Sequence, residues 1–314
     1  MQTSTFYVYI FIERYGRVEN MCNNLSESYA KVLEKWEGMT ITSDPMFGMV
    51  MQNKEICLEL INRALPQLKA TQIVQLTTQK DINVVAGRRV RYDVYVQDEK
   101  GNIIVVEMQV ADHQNLPYRL RYYQEQIDHG LLLPGKDYRD LSLHPTYVIM
   151  FCDFDYFGYG WARYVFEMAC TRNHQLKLGD QRIVVIFNAL AKEFTKDEQP
   201  IKNFLALMQN QVDNKSRFIT KIQDEIVKIK QEPERRRGFM KFELDLMDAR
   251  REGREEGIKK GQLKAEEKGK NKLVKFLTSQ KTAPSEIVAA LVNVYQMSEK
   301  AAQEYVAEHV KVRK

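Results

Sequence analysis

The alternation of apolar and polar residues between positions 89 and 110 predicts a β-hairpin. Side chains on a strand alternate between two faces, so in the second strand, 103–110, Glu107 and Gln109 share a face with two apolar residues. The four rows of side chains are Ile103, Val105, Glu107 and Gln109; Ile104, Val106, Met108 and Val110; Val90, Tyr92, Val94 and Val96; and Arg89, Arg91, Asp93 and Tyr95. The joining segment DEKGN contains the Gly and polar residues of a longer hairpin turn.

The register of this hairpin decides whether its acidic residues meet. With the turn centred on Lys100, the numbers of opposed residues sum to about 200, so that Asp93 faces Glu107. Their Cβ atoms would then lie roughly 4.5–5.5 Å apart. Two carboxylates at that distance repel each other, and one resists ionisation unless a cation lies between them. The pattern therefore predicts a site for a divalent metal, on the hypothesis that the register does not slip by one residue.

Periodicity also predicts a helix over 25–36, and a second unit that starts at Ser43 and Asp44, which we interpret as a helix cap or turn. A continuous apolar run at 146–154 is typical of a strand buried on both faces. Together the segments predict a compact three-layer α/β domain. The remaining segments are the helix MFGMVMQNKEICLELINRAL, the strand IVQLTTQKDINVV, the helix YRLRYYQEQIDHGLL after Pro117, and the strands RYVFEMAC and RIVVIFNAL.

Strand patterns stop near residue 198, and the rest of the chain is helical in pattern. Within 234–272 the residues Gly253, Gly257 and Gly261 recur every four positions among mixed charges. Each Gly costs a helix roughly 1 kcal/mol, and each i,i+4 ion pair returns about 0.2–0.5 kcal/mol, so we expect an exposed, partly helical arm. The predicted divisions are 1–40, a partly helical extension; 41–197, the α/β core; 198–275, a helical region with the arm; and 276–314, a helical hairpin.

Composition narrows the possible classes of protein. The chain has 314 residues, 44% of them hydrophobic, and a net charge of +5, which permits a nucleic-acid partner without requiring one. Four scattered cysteines with no CxxC pair argue against a zinc site and a disulfide framework. The short apolar stretch FYVYIFI lacks the features of a signal peptide, and no apolar run reaches the length of a membrane span. We therefore expect a cytoplasmic protein with reduced thiols and no membrane partner.

Several blocks of the sequence, in order, resemble the PD-(D/E)XK nuclease superfamily and, within it, the Rpn-like recombination-promoting nucleases described as transposases. The resemblance runs from about residue 43 to 260 and is weak over 1–40 and the last forty residues. Asp followed by ExK alone would be a weak signal, whereas the ordered series is more specific. The blocks are SDPMFGMVMQNKEICLELI, VRYDVYVQDEKGNIIVVEMQ, YRLRYYQEQID, GKDYRDL, TYVIMFCDFDYFG, YVFEMAC, LGDQRIVVIFNAL and REGREEG.

The resemblance implies a mixed sheet flanked by helices, with a helical C-terminal extension, and Mg²⁺-dependent cleavage of DNA phosphodiesters. It assigns Asp93 and Glu107 as metal ligands and places Gln109 in the slot usually held by Lys. Gln at this position is common in this branch, and Tyr92 replaces the Pro of the superfamily name. Mn²⁺ is an alternative cofactor. Because Gln109 can orient water or phosphate but carries no charge, we expect slower or more metal-dependent chemistry than with Lys.

Other residues are weaker candidates for the site. Four arginines are expected to bind DNA phosphates: Arg89, Arg91, Arg119 and Arg121. Tyr123 and Gln124 are candidates for an auxiliary role, although the helix that carries Arg119 and Tyr123 could simply pack on the sheet. Glu55 is a candidate third acid, with a solvent-exposed position as the alternative. Asp93 and Glu107 could also be an exposed pair neutralised by Arg89 or Arg91.

Three functions compete at this point. The first is a metal-dependent DNA endonuclease linked to recombination or mobile DNA, possible as a homodimer because one site cuts one strand. The second is a catalytically inactive relative that binds DNA or protein. The third is a strict transposase with a ribonuclease-H-like site, which needs a further acid far downstream on a helix and fits the ExQ hairpin badly.

Overall fold

The computed structural model describes residues 27–82 and 88–309, which form two compact units divided between Met240 and Lys241. The helices are α1 (27–37), α2 (Asp44–Met51), α3 (Lys54–Ala64), α4 (Leu116–Leu131), α5 (Gln199–Met208), α6 (Arg217–Gln231), α7 (Pro233–Ser279), α8 (Pro284–Tyr295) and α9 (Glu299–His309), with 3-10 helices at Tyr138–Leu143 and Lys196–Glu198. The strands are β1 (Ile73–Ile82), β2 (Val90–Asp98), β3 (Ile103–Gln109), β4 (Thr146–Cys152), β5 (Arg163–Phe166), β6 (Ala169–Cys170), β7 (Asn173–Lys177) and β8 (Arg182–Asn188).

The first unit is built on a six-stranded mixed sheet in the order β1-β2-β3-β4-β8-β5. The first three strands are antiparallel, β3, β4 and β8 are parallel, and β5 runs antiparallel to β8. Every residue of β3 and β4 is buried, as expected for central strands covered on both faces. The predicted α/β class with a helical C-terminal extension is confirmed. The small β6–β7 hairpin was not predicted as a separate sheet.

The predicted hairpin register is confirmed. The ladder pairs Val94 with Val106 and Gln97 with Ile103, so opposed residue numbers sum to 200. The turn is held by Asp98, whose Oδ1 accepts hydrogen bonds from the backbone N–H groups of Lys100 and Asn102 at 2.9 Å each. Gly101 has φ +84°, and a Cβ there would lie 2.6 Å from a backbone oxygen. The turn therefore requires glycine at that position.

The alternation of side chains within β2 departs from the prediction. Val90 and Tyr92 pack in the same core cluster as Tyr95, whereas Val94 and Val96 are buried outside that cluster. The faces thus exchange around Asp93. On β1 the residue opposite this point is Gln79, between the pairs Thr78 with Val94 and Lys80 with Tyr92, and its φ is +52°. This left-handed backbone interrupts the pleat, so the single apolar row predicted for Val90, Tyr92, Val94 and Val96 was wrong.

The predicted first helix of the core is interrupted. It divides into α2 and α3 because the side chain of Asn53 caps α3, accepting hydrogen bonds from the backbone N–H groups of Glu55 at 3.1 Å and Ile56 at 3.3 Å. A capped N-terminus satisfies donors that a continuous helix would satisfy internally. α4 begins as predicted, with Pro117 in its first turn. Its apolar face, which includes Leu120 and Ile127, packs on the sheet.

The end of the first unit lies beyond the expected core boundary at 197. α5 and α6 pack against α3 and α2, and these helices belong to the same unit as the sheet. The expected extension over 1–40 lies mostly outside the described residues, which include only α1 and the segment after it. The four-part division of the chain remains a prediction.

The second unit starts within α7, which is continuous over 47 residues where we expected a partly helical arm. Ion pairs of the i,i+4 type join Lys260 to Glu256 and Lys270 to Glu266, each at 2.6 Å. Such pairs offset part of the cost of the repeated glycines. The predicted terminal hairpin is present as α8 and α9, with a small core made of Val274, Ile287, Leu291, Ala302 and Val306.

Cys57 and Cys152 are buried with free thiols, and Cys170 is free and exposed, whereas Cys22 lies outside the described residues. A search of the described helices found none with the length and apolar character needed to cross a membrane.

Candidate active site

The structure brings Asp93 and Glu107 together in a buried position where β2 and β3 separate. Asp93 is 9% exposed and Glu107 is fully buried. The ladder between the strands ends at Val94 and Val106, and side chains then replace the backbone pairing. The backbone N–H of Asp93 donates to Glu107 Oε1 at 2.9 Å, and that of Met108 donates to Asp93 Oδ2 at 3.1 Å. This burial excludes the alternative of an exposed surface pair.

Arg119 connects the acids to Gln109 and to α4. Its Nη2 donates to Glu107 Oε2 at 2.6 Å and its Nη1 donates to Gln109 Oε1 at 2.8 Å. Its Nε donates to the hydroxyl of Tyr123 at 2.9 Å. The amide of Gln109 in turn donates to the backbone oxygen of Ala111 at 3.0 Å. Arg119 therefore lies against the carboxylate pair, whereas the sequence suggested only packing or a phosphate contact for it.

Burial dominates the electrostatics of the pair. It raises the pKa of Asp93 to about 6, against the opposing effect of the hydrogen bond from Met108. Burial also raises the pKa of Glu107 well above its usual range, and repulsion by Asp93 adds to this, while the Arg119 guanidinium acts in the opposite direction. Two acids with raised pKa values hold protons toward neutral pH unless a cation compensates for their charge.

Asp44 is an acidic residue near the site for which the sequence indicated only a helix cap or turn. The cap position of α2 is Ser43, and Asp44 is the first residue of the helix. Its Oδ1 accepts a hydrogen bond from Gln79 Nε2 at 2.9 Å, and its Oδ2 lies 3.6 Å from Arg91 Nη2. The charge of Asp44 contributes to the raised pKa of Asp93. The only sequence signal was an acid in a first helical turn, which resembles an ordinary cap.

A basic cleft of about 540 Å³ opens beside the acids. Among the described residues that line it there is no carboxylate. Its lining combines four arginines with aromatic and polar side chains: Arg88, Arg89, Arg91, Arg119, His113, Asn115, Tyr118, Tyr122 and Tyr123, together with Val90. Three of the four predicted DNA-binding arginines therefore line one surface, and Arg88 joins them.

Two candidate residues on α4 lie elsewhere. Arg121 and Gln124 line a separate cavity of about 370 Å³, together with residues of β5 and β8. The structure does not bring them to the carboxylate pair. Glu55 is exposed on the first turn of α3, and its Oε1 lies 2.6 Å from Lys221 Nζ on α6, which is the solvated position given as its alternative.

The residues present fit a hard divalent cation. Over 27–82 and 88–309, no group of three or more His, Cys, Asp or Glu side chains converges on a metal position. Mg²⁺ keeps several waters and needs only one or two carboxylates from the protein, which Asp93 and Glu107 can provide. Burial disfavours the ionised forms of both acids and so raises their pKa values, and a bound cation would favour the ionised forms.

A mixed sheet flanked by helices, with Asp and Glu-x-Gln on neighbouring strands, defines a PD-(D/E)XK nuclease-like fold. The family model of PD-(D/E)XK nuclease family transposases matches residues 45–253, and the chain belongs to this family. The family supports a nuclease or transposase-related role with DNA as the implied substrate, and nucleases of this class typically use divalent metals. Searches of curated proteins and of solved structures found no match.

Proposed function

We propose that this protein is a metal-dependent DNA endonuclease that hydrolyses phosphodiester bonds, linked to recombination or mobile DNA. The observation that carries the proposal is the buried pair of Asp93 and Glu107, with raised pKa values, beside an arginine-lined cleft. Acids with perturbed pKa values beside a cleft are typical of functional sites, since a purely structural role would favour ordinary ionisation or an apolar replacement.

In this proposal Asp93 and Glu107 hold Mg²⁺ or Mn²⁺. Such a cation, when bound, supplies Lewis acidity and lowers the pKa of coordinated water. Gln109 orients water or a phosphate oxygen by hydrogen bonds, because its amide carries no charge.

Arg119 provides the positive charge that Gln109 lacks. The guanidinium contacts both Glu107 and Gln109, and it stays protonated at any physiological pH. A fixed cation beside the scissile phosphate would stabilise the negative charge that develops during hydrolysis. Arg88, Arg89 and Arg91 along the same cleft would hold the neighbouring phosphates.

A catalytically inactive DNA-binding relative is the second candidate. It is favoured by one observation, the contact of Arg119 with Glu107 Oε2, which already neutralises part of the pair without a metal. A strict transposase with three carboxylates is not favoured. The further acid whose charge reaches the pair is Asp44, which lies upstream on α2 and not downstream on a helix.

A plasmid nicking assay tests the proposal. We expect wild-type protein to nick supercoiled DNA with Mg²⁺ or Mn²⁺ and not with EDTA or Ca²⁺. Asp93→Asn and Glu107→Gln should lower the rate by at least about 100-fold, the scale seen when electrostatic stabilisation of a transition state is removed. Both variants should still bind DNA in EDTA, measured by fluorescence anisotropy.

The matched control is Asp112→Asn. Asp112 is an exposed acid on the loop after β3, and its carboxylate contacts only Gln114 among the hydrogen bonds described. This variant should nick at the wild-type rate. Nicking by both the Asp93→Asn and the Glu107→Gln variant would refute the assigned site. DNA binding by the wild type without nicking in any metal would favour the inactive relative.

A further inference from the structure

Three aromatic rings form a ladder on the loop after β4 and the start of β5. The ring centroids of Tyr159 and Trp161 are 5.2 Å apart, those of Trp161 and Tyr164 are 5.5 Å apart, and both pairs are stacked with 28° between their planes. Tyr159 is 70% exposed and Trp161 is 58% exposed. Large exposed aromatic surfaces that are already aligned usually mark a binding surface.

The ladder is held in place by hydrogen bonds. Asp155 Oδ2 accepts from the backbone N–H of Gly160 at 2.6 Å, and its Oδ1 accepts from the Tyr164 hydroxyl at 2.8 Å. The Asn188 amide donates to the backbone oxygen of Trp161 at 3.2 Å. A surface fixed before binding gives up less conformational freedom when a ligand stacks on it.

The ladder and the carboxylate pair lie at the same end of the central strands, where β3, β4 and β8 finish and β5 begins. The parallel register places Gln109 beside Cys152, and Cys152 beside Asn188. The backbone N–H of Asp153, where the loop leaves β4, donates to the backbone oxygen of Gln109 at 3.0 Å. Adjacent strands are about 4.8 Å apart, so β5 lies only three strand spacings, roughly 14 Å, from β3. A strand of DNA held at Glu107 can reach the ladder.

Charge distinguishes this surface from the basic cleft. Tyr159 and Trp161 line a cleft of about 820 Å³. The charged residues in its lining are balanced, with Arg163 and Lys192 against Glu193 and Glu198. A duplex is gripped mainly by clusters of positive charge on its phosphates. The exposed rings are suited to bases, because every base has a face that stacks on an aromatic side chain.

We propose that the exposed rings of Tyr159 and Trp161, supported by the buried ring of Tyr164, bind unpaired nucleobases of the DNA strand that passes through the carboxylate site. The proposal rests on the proposed nuclease function for the identity of that strand. The enzyme would then prefer DNA with single-stranded segments, such as gaps, flaps or loops, with the duplex portion held by the arginine cleft.

Tryptophan fluorescence reports on the ladder directly. The chain has two tryptophans, and Trp36 is fully buried, so stacking of a base should quench Trp161. We expect a single-stranded oligothymidylate, titrated into the full chain in EDTA, to quench the emission. A duplex of the same length should not quench it, and Trp161→Phe should abolish the signal while keeping an aromatic ring.

Affinity gives the second measurement. By anisotropy of a labelled oligothymidylate, Trp161→Ala should raise Kd by about 5- to 100-fold, the scale expected when one base–aromatic stack is removed, and Trp161→Phe by less than about 3-fold. The matched control is Tyr138→Ala. Tyr138 is 83% exposed, but it precedes β4 and so lies toward the opposite end of the parallel strands. Its Kd should match that of the wild type.

Several results would overturn the inference. These are equal quenching by duplex and single strand, no quenching by either, or an unchanged Kd for Trp161→Ala. If sedimentation velocity showed an oligomer for the wild type and a monomer for Trp161→Ala, the surface would be a protein interface. Plasmid nicking without quenching would refute base binding by the ladder and support the nuclease function. Quenching without nicking would support base binding and refute the nuclease function. The fluorescence titration of the wild-type protein tests the inference even if a variant fails to fold.

Discussion

At the scale of single residues, the site depends on how one guanidinium and two carboxylates share a buried space. Arg119 contacts Glu107, Gln109 and Tyr123 at once, and its charge opposes the burial that raises the pKa of Glu107. A side chain with this many directed contacts does more than fill the interface between α4 and the sheet.

Removal of the Arg119 charge should slow hydrolysis more than it weakens DNA binding. We expect Arg119→Met to lower the nicking rate by about 100-fold at saturating metal, with Arg119→Lys intermediate because lysine is charged but lacks the planar fork. Arg121→Met is the matched control, since Arg121 lies on the same helix and lines the other cavity. Equal rates for the two methionine variants would contradict a role for Arg119.

The raised pKa of Asp93 predicts how stability depends on pH. Between its ordinary value of 3.8 and about 6 in the folded protein, the folded state binds more protons than the unfolded state. The free energy of unfolding therefore falls as pH rises through this window. Asn at this position keeps the acceptor for the Met108 N–H and removes the titration. In urea unfolding with EDTA, the free energy of unfolding of Asp93→Asn relative to that of the wild type should rise by about 2 kcal/mol between pH 4.5 and pH 8. Parallel pH curves for the two proteins would show that this buried charge has no energetic cost.

At the scale of elements, the β2–β3 hairpin was predictable because its information is local. The turn sequence with Gly101 and the alternating strands fixed the register, and the register brought Asp93 into contact with Glu107 just beyond the end of the ladder. The exchange of faces at Asp93 was not predictable, since it depends on Gln79 in β1, a strand that pairs with β2 across the sheet. The end of the β2–β3 ladder at this point is what frees the Asp93 N–H for Glu107.

At the scale of the whole molecule, a net charge of +5 hides an uneven distribution. Four arginines line one cleft beside the acids, while the cleft at the aromatic ladder has balanced charge. Under the two proposals, the first unit has two different surfaces for DNA, one that binds phosphates and one that binds bases.

The arginine cleft should be visible in the salt dependence of DNA binding. Removing one arginine that binds a phosphate should reduce the slope of log Kd against log salt by about one. We expect Arg89→Ala and Arg91→Ala each to show this reduction on duplex DNA. Arg121→Ala should leave the slope unchanged, because its cavity is a separate one. An unchanged slope for Arg89→Ala and Arg91→Ala would exclude both from the interface.

The sequence by itself determined the α/β class, most of the strand and helix order, the hairpin register and the candidate acids, because these follow from local periodicity and turn chemistry. The tertiary structure decided which polar side chains surround those acids. Arg119 reaches Glu107 only because α4 folds back over the sheet, and Asp44 reaches Gln79 only because α2 lies near β1. Contacts between segments distant in the chain leave no periodic signal in either segment, and burial, which raises the pKa of both carboxylates, is a property of the packed molecule alone.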